Sequence, residues 1–304
     1  MTLVGIGFRS ELEVLFSEDS PGAECVELIA NRYFGNEGVA RPWEIDDLNP
    51  VPVILHGLSG NVASVTGPSE AYLDRVRRLA HHVAAAAYSD HLAFTGTRDR
   101  DLGHLAPNLF DDELLQCSAR HVATIAAATG QRVRLENLAT TVTVTGSTYT
   151  PEEFYLRLLD VSDGWDCLLD LTNIWINSQN RRVDPVGFID AIPADRIGYV
   201  HLAGGERFDG ELVDSHSQAV HQEVFDLLAY LLERASPEFI IVERDSNWVG
   251  AVEEVRNDVA TARALVAAAP ATAASSAPAL QSTEPAGKDD GSANNQLTLA
   301  GGAQ

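Results

Sequence analysis

The chain has 304 residues, of which 45% are hydrophobic, enough to bury a sizeable core as one large domain or two medium ones and too many for a disordered or fibrous protein. Its 21 Lys and Arg stand against 44 Asp and Glu, a formal charge of −23. That balance argues against nucleic acid or membrane lipid as a direct partner, because each phosphate contact would need a scarce basic side chain; a bound metal or a cationic partner suits it better.

The opening MTLVGIGFRSELE lacks a basic region followed by a long apolar run, so no signal peptide is expected. Short runs rich in β-branched residues then alternate with stretches of helical period, the mark of repeated βα units around a parallel sheet. The expected strands are Leu3–Phe8, Cys25–Ala30, Val51–His56, Ala84–His91, Arg132–Asn137, Cys167–Asn173, Ile197–Leu202 and Phe239–Asp245. Helices are expected at about Ser69–Val83, Asp112–Ala128, Pro151–Val161, Pro185–Ile192, Gln218–Ala235 and Val252–Ala267. Asp111, Thr150 and Asp184 stand where N-caps belong. The stretches Thr95–Leu109 and Gly205–Val213 read as loops that would recognise a substrate.

Past Ala268 the composition shifts to Ala, Ser, Pro, Gly and Thr with no aromatic residue, so 269–304 reads as a disordered tail that cannot bury enough apolar surface to order itself. The tail holds three acidic residues and one Lys, which leaves −21 on the rest. Eight strands in 1–268 predict an α/β fold, a (β/α)8 TIM barrel. A doubly wound sheet is the alternative, but GIGFRS is only a fragment of the Gly-rich phosphate loop such a sheet carries. Cys25, Cys117 and Cys167 are scattered and odd in number, which suits a reducing cytoplasm, and no run approaches the roughly 18 apolar residues of a membrane span.

Most of these strands end in a group able to bind metal. His56 closes the third, Asp90 and His91 the fourth, Glu136 the fifth, Asp170 and Asn173 the sixth, His201 the seventh, and Glu243 and Asp245 the eighth, while a loop adds Asp214 and His216. A parallel barrel gathers all these ends on one face. A lone His there is more often a hydrogen-bonded structural residue and a lone Asp a helix cap, but repetition over successive strands makes separate dull explanations improbable. Carboxylates among apolar strands need a partner, and imidazole with carboxylate and no thiolate favours iron, manganese, cobalt or zinc. The ligands exceed what one ion takes, so two or three ions are expected, with Glu136 or Asp170 as a bridge. His81, His82, His104, His121 and His221 read as surface, packing or rim residues, and Cys25 and Cys167 as buried side chains.

GIGFRSE, LHG, SDHLAF, LENLATT, LLDLTNIWINSQN, VHLAGG, VDSH and IVERDSNW occur in one order across residues 3–250. In this the chain resembles the DUF692 family, the multinuclear non-haem iron-dependent oxidative enzymes that include the methanobactin-biosynthesis oxygenase subunit. The resemblance implies a xylose-isomerase-like barrel holding two or three iron ions in mixed ferrous and ferric states, with O2 as co-substrate. Its ligands fall on His56, His91, Glu136, Asp170, His201, Asp214, His216 and Glu243, with Asn173 at the second Asn of the family's DVNN, and Asp245 stands beside the cluster as a proton acceptor. It further implies oxidation of a cysteine-containing, ribosomally made precursor peptide, with a partner protein binding the peptide leader. Asn31-Arg32 replace the family's Glu-Asn pair, Thr172 replaces the first Asn of DVNN and Gly205 a common second His; none is a principal ligand. A divalent-metal isomerase or hydrolase on the same barrel, and a non-catalytic peptide-binding protein, are the competing readings.

Overall fold

The computed structural model describes residues 1–16, 22–35, 38–39, 51–97 and 100–270. Eight parallel strands close on themselves: β1 (Leu3–Gly7), β2 (Val26–Ile29), β3 (Val53–Gly57), β4 (Ala87–His91), β5 (Val133–Glu136), β6 (Trp165–Asp170), β7 (Ile197–Phe208) and β8 (Phe239–Glu243). Each pairs with the next, and β8 returns to β1 with Leu3 opposite Phe239, so the sheet is a barrel without an edge. All eight strands expected from sequence are present, with most ends trimmed by one to three residues; β3 runs one residue further at its end, β6 starts two residues earlier and β7 is extended by six.

Strand alternation divides the core in two. Cys25, Ile54, Ala87, Leu168, Tyr199, Phe239 and Ile241 fill the inside of the barrel, while their neighbours such as Leu55, Tyr88, Leu169 and Val200 pack outward under the helices. The inside is crowded enough that β1 needs a glycine. A Cβ on Gly5 would lie 2.1 Å from the Cys25 carbonyl oxygen.

The helices are α1 (Glu70–His82), α2 (Asp112–Thr129), α3 (Pro151–Val161), α4 (Leu171–Arg181), α5 (Pro185–Ala191), α6 (Gln222–Leu232) and α7 (Ala251–Ala268). The expected caps hold: Asp111, Thr150 and Asp184 accept from Leu114 N, Glu153 N and Val186 N, and Thr150 with Glu153 forms a capping box. After β1 and β2 the described residues carry short 3-10 turns, Ser10–Phe16 and Ala30–Tyr33.

Four expectations are corrected. Asn173 is not on a strand, because β6 stops at Asp170 and α4 starts in the next residue with Asp170 as its N-cap. Asp214 and His216 are not in a loop but on Glu211–Gln218, a strand antiparallel to the end of β7, so Gly205–Val213 is hairpin rather than loop. Phe94–Thr97 and Arg100–Ala106 likewise pair antiparallel within the expected loop Thr95–Leu109. Gln218 ends that first hairpin, so the helix expected from Gln218 begins at Gln222. Of the tail expected over 269–304, residues 271–304 lie outside the described residues. Among the described residues no helix is long and apolar enough to cross a membrane.

Asp258 on α7 accepts from Val220 N at 3.0 Å, and burial pushes its carboxyl up to about 6. A raised carboxylate contributes most below its unfolded value near 4 and loses that contribution as the pH climbs through 6. Asp258→Asn keeps the acceptor without the charge. It should therefore exceed the parent in stability by about 1–2 kcal/mol at pH 8 and match it below pH 4, read from urea midpoints across that range.

Candidate metal centre

The inward register that places Ile54, Ala87, Tyr199 and Ile241 inside the barrel also aims His56, His91, His201 and Glu243, two or four residues further on, at its C-terminal mouth. Glu136, the last residue of β5, reaches the middle of them. Its Oε2 lies 3.2 Å from His91 Nε2, 3.4 Å from His56 Nε2 and 3.7 Å from His201 Nδ1. His201 Nδ1 is 3.0 Å from Glu243 Oε2. All five side chains are buried.

The far nitrogen of each ring is held from behind. His91 Nδ1 donates to Gly57 O at 3.1 Å and His56 Nδ1 lies 2.8 Å from Ser89 Oγ, which leaves both Nε2 atoms facing Glu136. Gly57 carries its own constraint. A Cβ there would meet Asp90 Oδ2 and the Tyr72 hydroxyl at 2.3 Å.

Asp170 extends the group sideways. Its Oδ1 caps α4 by accepting from Asn173 N at 2.7 Å, its backbone is bracketed by both ends of the Asn137 amide, and its Oδ2 is left free in the interior. Asn173, on the first turn of α4, donates from Nδ2 to Asn137 O at 3.1 Å and turns an unpartnered Oδ1 inward. From the hairpin, His216 Nε2 lies 2.8 Å from Asp214 Oδ1 and His216 Nδ1 2.9 Å from Asp245 Oδ2. His216 has φ 47°, a left-handed conformation unfavourable for a side chain and the kind of strain that concentrates at functional sites. Asp245 is anchored by the buried Arg9, whose guanidinium holds its Oδ1.

The ligand-type atoms form four overlapping groups, each within 4.8 Å: Glu27, His56 and His201; His56, His91 and Glu136; Glu136, His201 and Asp170; and Asp170, Asp214 and His216. Glu136 and Asp170 each belong to two groups, as do His56 and His201. Asn173 and Asp245 stand outside these four groups, Asn173 buried beside Glu136 and Asp245 partly exposed.

Burial pushes His91 down to about 4 and, with His91 and His201 alongside, holds His56 well below its usual value, so both are neutral, with their Nε2 atoms 3.3 Å apart. Burial would also lower His201 and His216, but Glu243 with Glu27, and Asp214 with Glu243, outweigh it and hold them well above. Burial raises Glu136 and, aided by Asp214, lifts Asp170 to about 7. Glu243, which burial alone would raise, is held low by His201 and His216.

Several chemistry-bearing residues fall elsewhere. Asp90 points outward, accepting from the Tyr72 and Tyr88 hydroxyls, and burial raises it to about 6. His104 is exposed, His121 faces Val62 O, and His221 faces Gly205 O against the Trp175 ring. The three cysteines are buried and free, and burial pushes the Cys25 and Cys167 thiols up, away from nucleophilic use. Glu27 is the residue that sequence reasoning missed. It lies within β2 rather than at a strand end, and an acid amid the apolar run CVELIA is its signal in the sequence.

Above the cluster opens a cavity of about 390 Å³. His56, His91, Glu136, Asp214, His216 and Glu243 form its polar floor; Leu92, Phe94, Leu105, Phe110, Leu138 and Ile174 give it an apolar wall.

The family described as RiPP precursor modification enzyme MbnB/TglH/ChrH matches residues 3–267. A UPF0276 protein of Chromobacterium violaceum is 32% identical over 248 residues, covering 79% of this chain and 87% of the relative. One of Acaryochloris marina is 29% identical over 244 residues, covering 80% and 87%. Among solved structures, the IOLI protein with a binding zinc atom aligns with a TM-score of 0.59 at 13% identity over 89% of this chain and all of its own, 100%. L-ribulose 3-epimerase aligns with a TM-score of 0.51 at 16% identity over 88% and 94%. At such identity the likeness is one of fold, the xylose-isomerase-like TIM barrel.

Proposed function

The chain belongs to the RiPP precursor modification enzyme family MbnB/TglH/ChrH, and from that premise we propose that it oxidises a cysteine of a ribosomally made precursor peptide at a centre of two or three iron ions, using O2. One observation carries the metal reading. Glu136 Oε2, Asp170 Oδ2, Asn173 Oδ1, His201 Nδ1 and His216 Nε2 are all buried, converge on one mouth and make no hydrogen bond. The two ring nitrogens lie 3.0 and 2.8 Å from carboxylate oxygens yet lack hydrogen-bond alignment, as groups do when they point at a common centre instead of at each other.

Three positions follow from the shared carboxylates: His56, His91 and Glu136; Glu136, Asp170, His201 and Glu243; and Asp170, Asp214 and His216, with Asn173 Oδ1 beside Asp170. Mixed imidazole and carboxylate donors without thiolate suit iron and leave room for a substrate sulfur. Iron held by these residues would supply one-electron exchange with O2 and would stabilise a bound thiolate. The chain's own part is to seat and enclose. The apolar wall strips water from the residue that enters, and a cavity of about 390 Å³ admits a few side chains rather than a folded leader, which supports recognition of the leader by a separate partner protein. Asp245 is the proposed proton acceptor at Oδ2, the oxygen it shares with His216 Nδ1. Burial would raise its carboxyl, but the His216 hydrogen bond and Arg9 hold it low, so it acts through His216 rather than as a strong base on its own.

Anaerobically purified protein should carry two to three irons per chain and consume O2 when given a cysteine-containing precursor peptide, with a mass change on that peptide that its Cys-to-Ser version does not show. Stoichiometric zinc with full activity indifferent to O2 would overturn the oxidative reading in favour of an isomerase or hydrolase.

A further inference from the structure

Glu27 is 1% exposed inside the barrel, and the proposed chemistry gives it no task. Its Oε2 accepts the Tyr199 hydroxyl and lies 3.0 Å from His201 Nε2. Tyr199 and His201 are two residues apart on β7, so both face inward, and β2 stands across the barrel interior with Glu27 on the same inward register as Cys25. The opposite nitrogen of the ring, His201 Nδ1, is the one that faces Glu243 and Glu136, at 3.0 and 3.7 Å.

A neutral imidazole carries one N–H and one lone pair, and a carboxylate can only accept. In the neutral ring that a metal would require, Glu27 therefore claims the proton at Nε2 and leaves the lone pair on Nδ1. His56 and His91 are turned the other way, presenting Nε2, and the rear hydrogen-bond partners are a serine hydroxyl and a backbone carbonyl, both uncharged; Glu27 Oε2 is 3.9 Å from His56 Nδ1, too far for a hydrogen bond. A carboxylate behind the ring makes His201 the more basic donor.

We infer that Glu27, held by Tyr199, is a positioning residue that fixes the His201 tautomer and turns Nδ1 toward the ion shared by Glu136, Asp170 and Glu243. The inference rests on the metal reading above. It separates the two buried positions: the ion at His201 depends on Glu27, and the ion at His56 and His91 does not.

The test is anaerobic titration with ferrous ion alone, read as affinity for each equivalent, on the parent chain and on Glu27→Leu, Glu27→Gln and Tyr199→Phe, with circular dichroism as the check of folding. Glu27→Leu should weaken one equivalent about 10–100-fold and leave the others at parental affinity. Glu27→Gln should restore that equivalent to within a few-fold, because the amide oxygen still accepts from Nε2. Tyr199→Phe should weaken the same equivalent less. Parental affinity in Glu27→Leu would mean that Glu27 is packing, and equal loss in the Leu and Gln variants would make it a direct ligand; either overturns the inference while the metal reading stands. If Glu27→Leu does not fold, parental affinity in Tyr199→Phe overturns it instead. A parent chain that binds no ferrous ion removes the metal reading and this inference together.

Discussion

Glu136→Gln should leave a folded barrel that holds at most one iron and modifies peptide at least about a thousandfold more slowly, a loss of about 4 kcal/mol in transition-state stabilisation. The expectation follows from where one oxygen sits. Glu136 Oε2 is the carboxylate oxygen that faces His56 Nε2, His91 Nε2 and His201 Nδ1 together, so two of the three proposed positions share it. An amide cannot supply the negative charge that a bridging carboxylate gives to two cations. Folding should be spared for a separate reason. Without metal, burial already biases the Glu136 carboxyl toward its neutral form, and Oε2 makes no hydrogen bond that a glutamine would forfeit. The metal-free variant should thus melt within a few degrees of the metal-free parent, while metal added to each widens the gap. His91→Ala is the contrast, because His91 belongs to one group and its loss should empty one position. Elemental analysis beside peptide mass spectrometry decides the matter: a Glu136→Gln protein with full iron content, or with parental turnover, would sink the bridging assignment.

How much of this was legible in the sequence depends on what each residue's structure rests upon. The barrel strands were legible because an inward and an outward face both buried leave continuous apolar runs, and their ends were marked by His and acids. Helix α4 was not. LTNIWINSQN is poor in helix formers and follows β6 without a connecting residue, and it is helical because residues 171–177 are all buried against the barrel and Asp170 caps them. That same fact moved Asn173 from a strand to a helix without removing it from the mouth. The hairpin bearing Asp214 and His216 did leave a sign in the sequence. Asp209-Gly210 has φ 49° and 91°, the two left-handed residues of a tight hairpin turn, and an Asp-Gly pair between apolar residues is the strongest short-range hairpin signal. Glu27 left no mark at a strand end, since it sits within β2 behind His201 rather than at the mouth.

Removing metal should lower the melting temperature by roughly 10–30 °C, and the drop should be larger at pH 8 than at pH 6. Each ion present at a hundred times its dissociation constant adds about 2.7 kcal/mol, and a domain of this size moves roughly 2–4 °C per kcal/mol. The pH dependence comes from the metal-free cluster. Asp170, raised to about 7, and His201, held well above its usual value by Glu243 and Glu27 against the opposing effect of burial, both keep protons there that a metal must displace. Affinity therefore rises with pH through the window in which they titrate. The metal-free protein moves oppositely. A group whose folded value is raised contributes stability in full below its unfolded value, near 4 for Asp170 and 6.5 for His201, and loses it as the pH climbs through the folded value. Glu243 is held low, so its contribution is lost only as the pH falls through acid values and is flat between 6 and 8. Across that interval the loaded protein gains while the empty one weakens. Melting curves with and without chelator at both pH values test this directly, and an equal gap at pH 6 and 8 would show that the ions displace no protons from Asp170 or His201 and bind somewhere else.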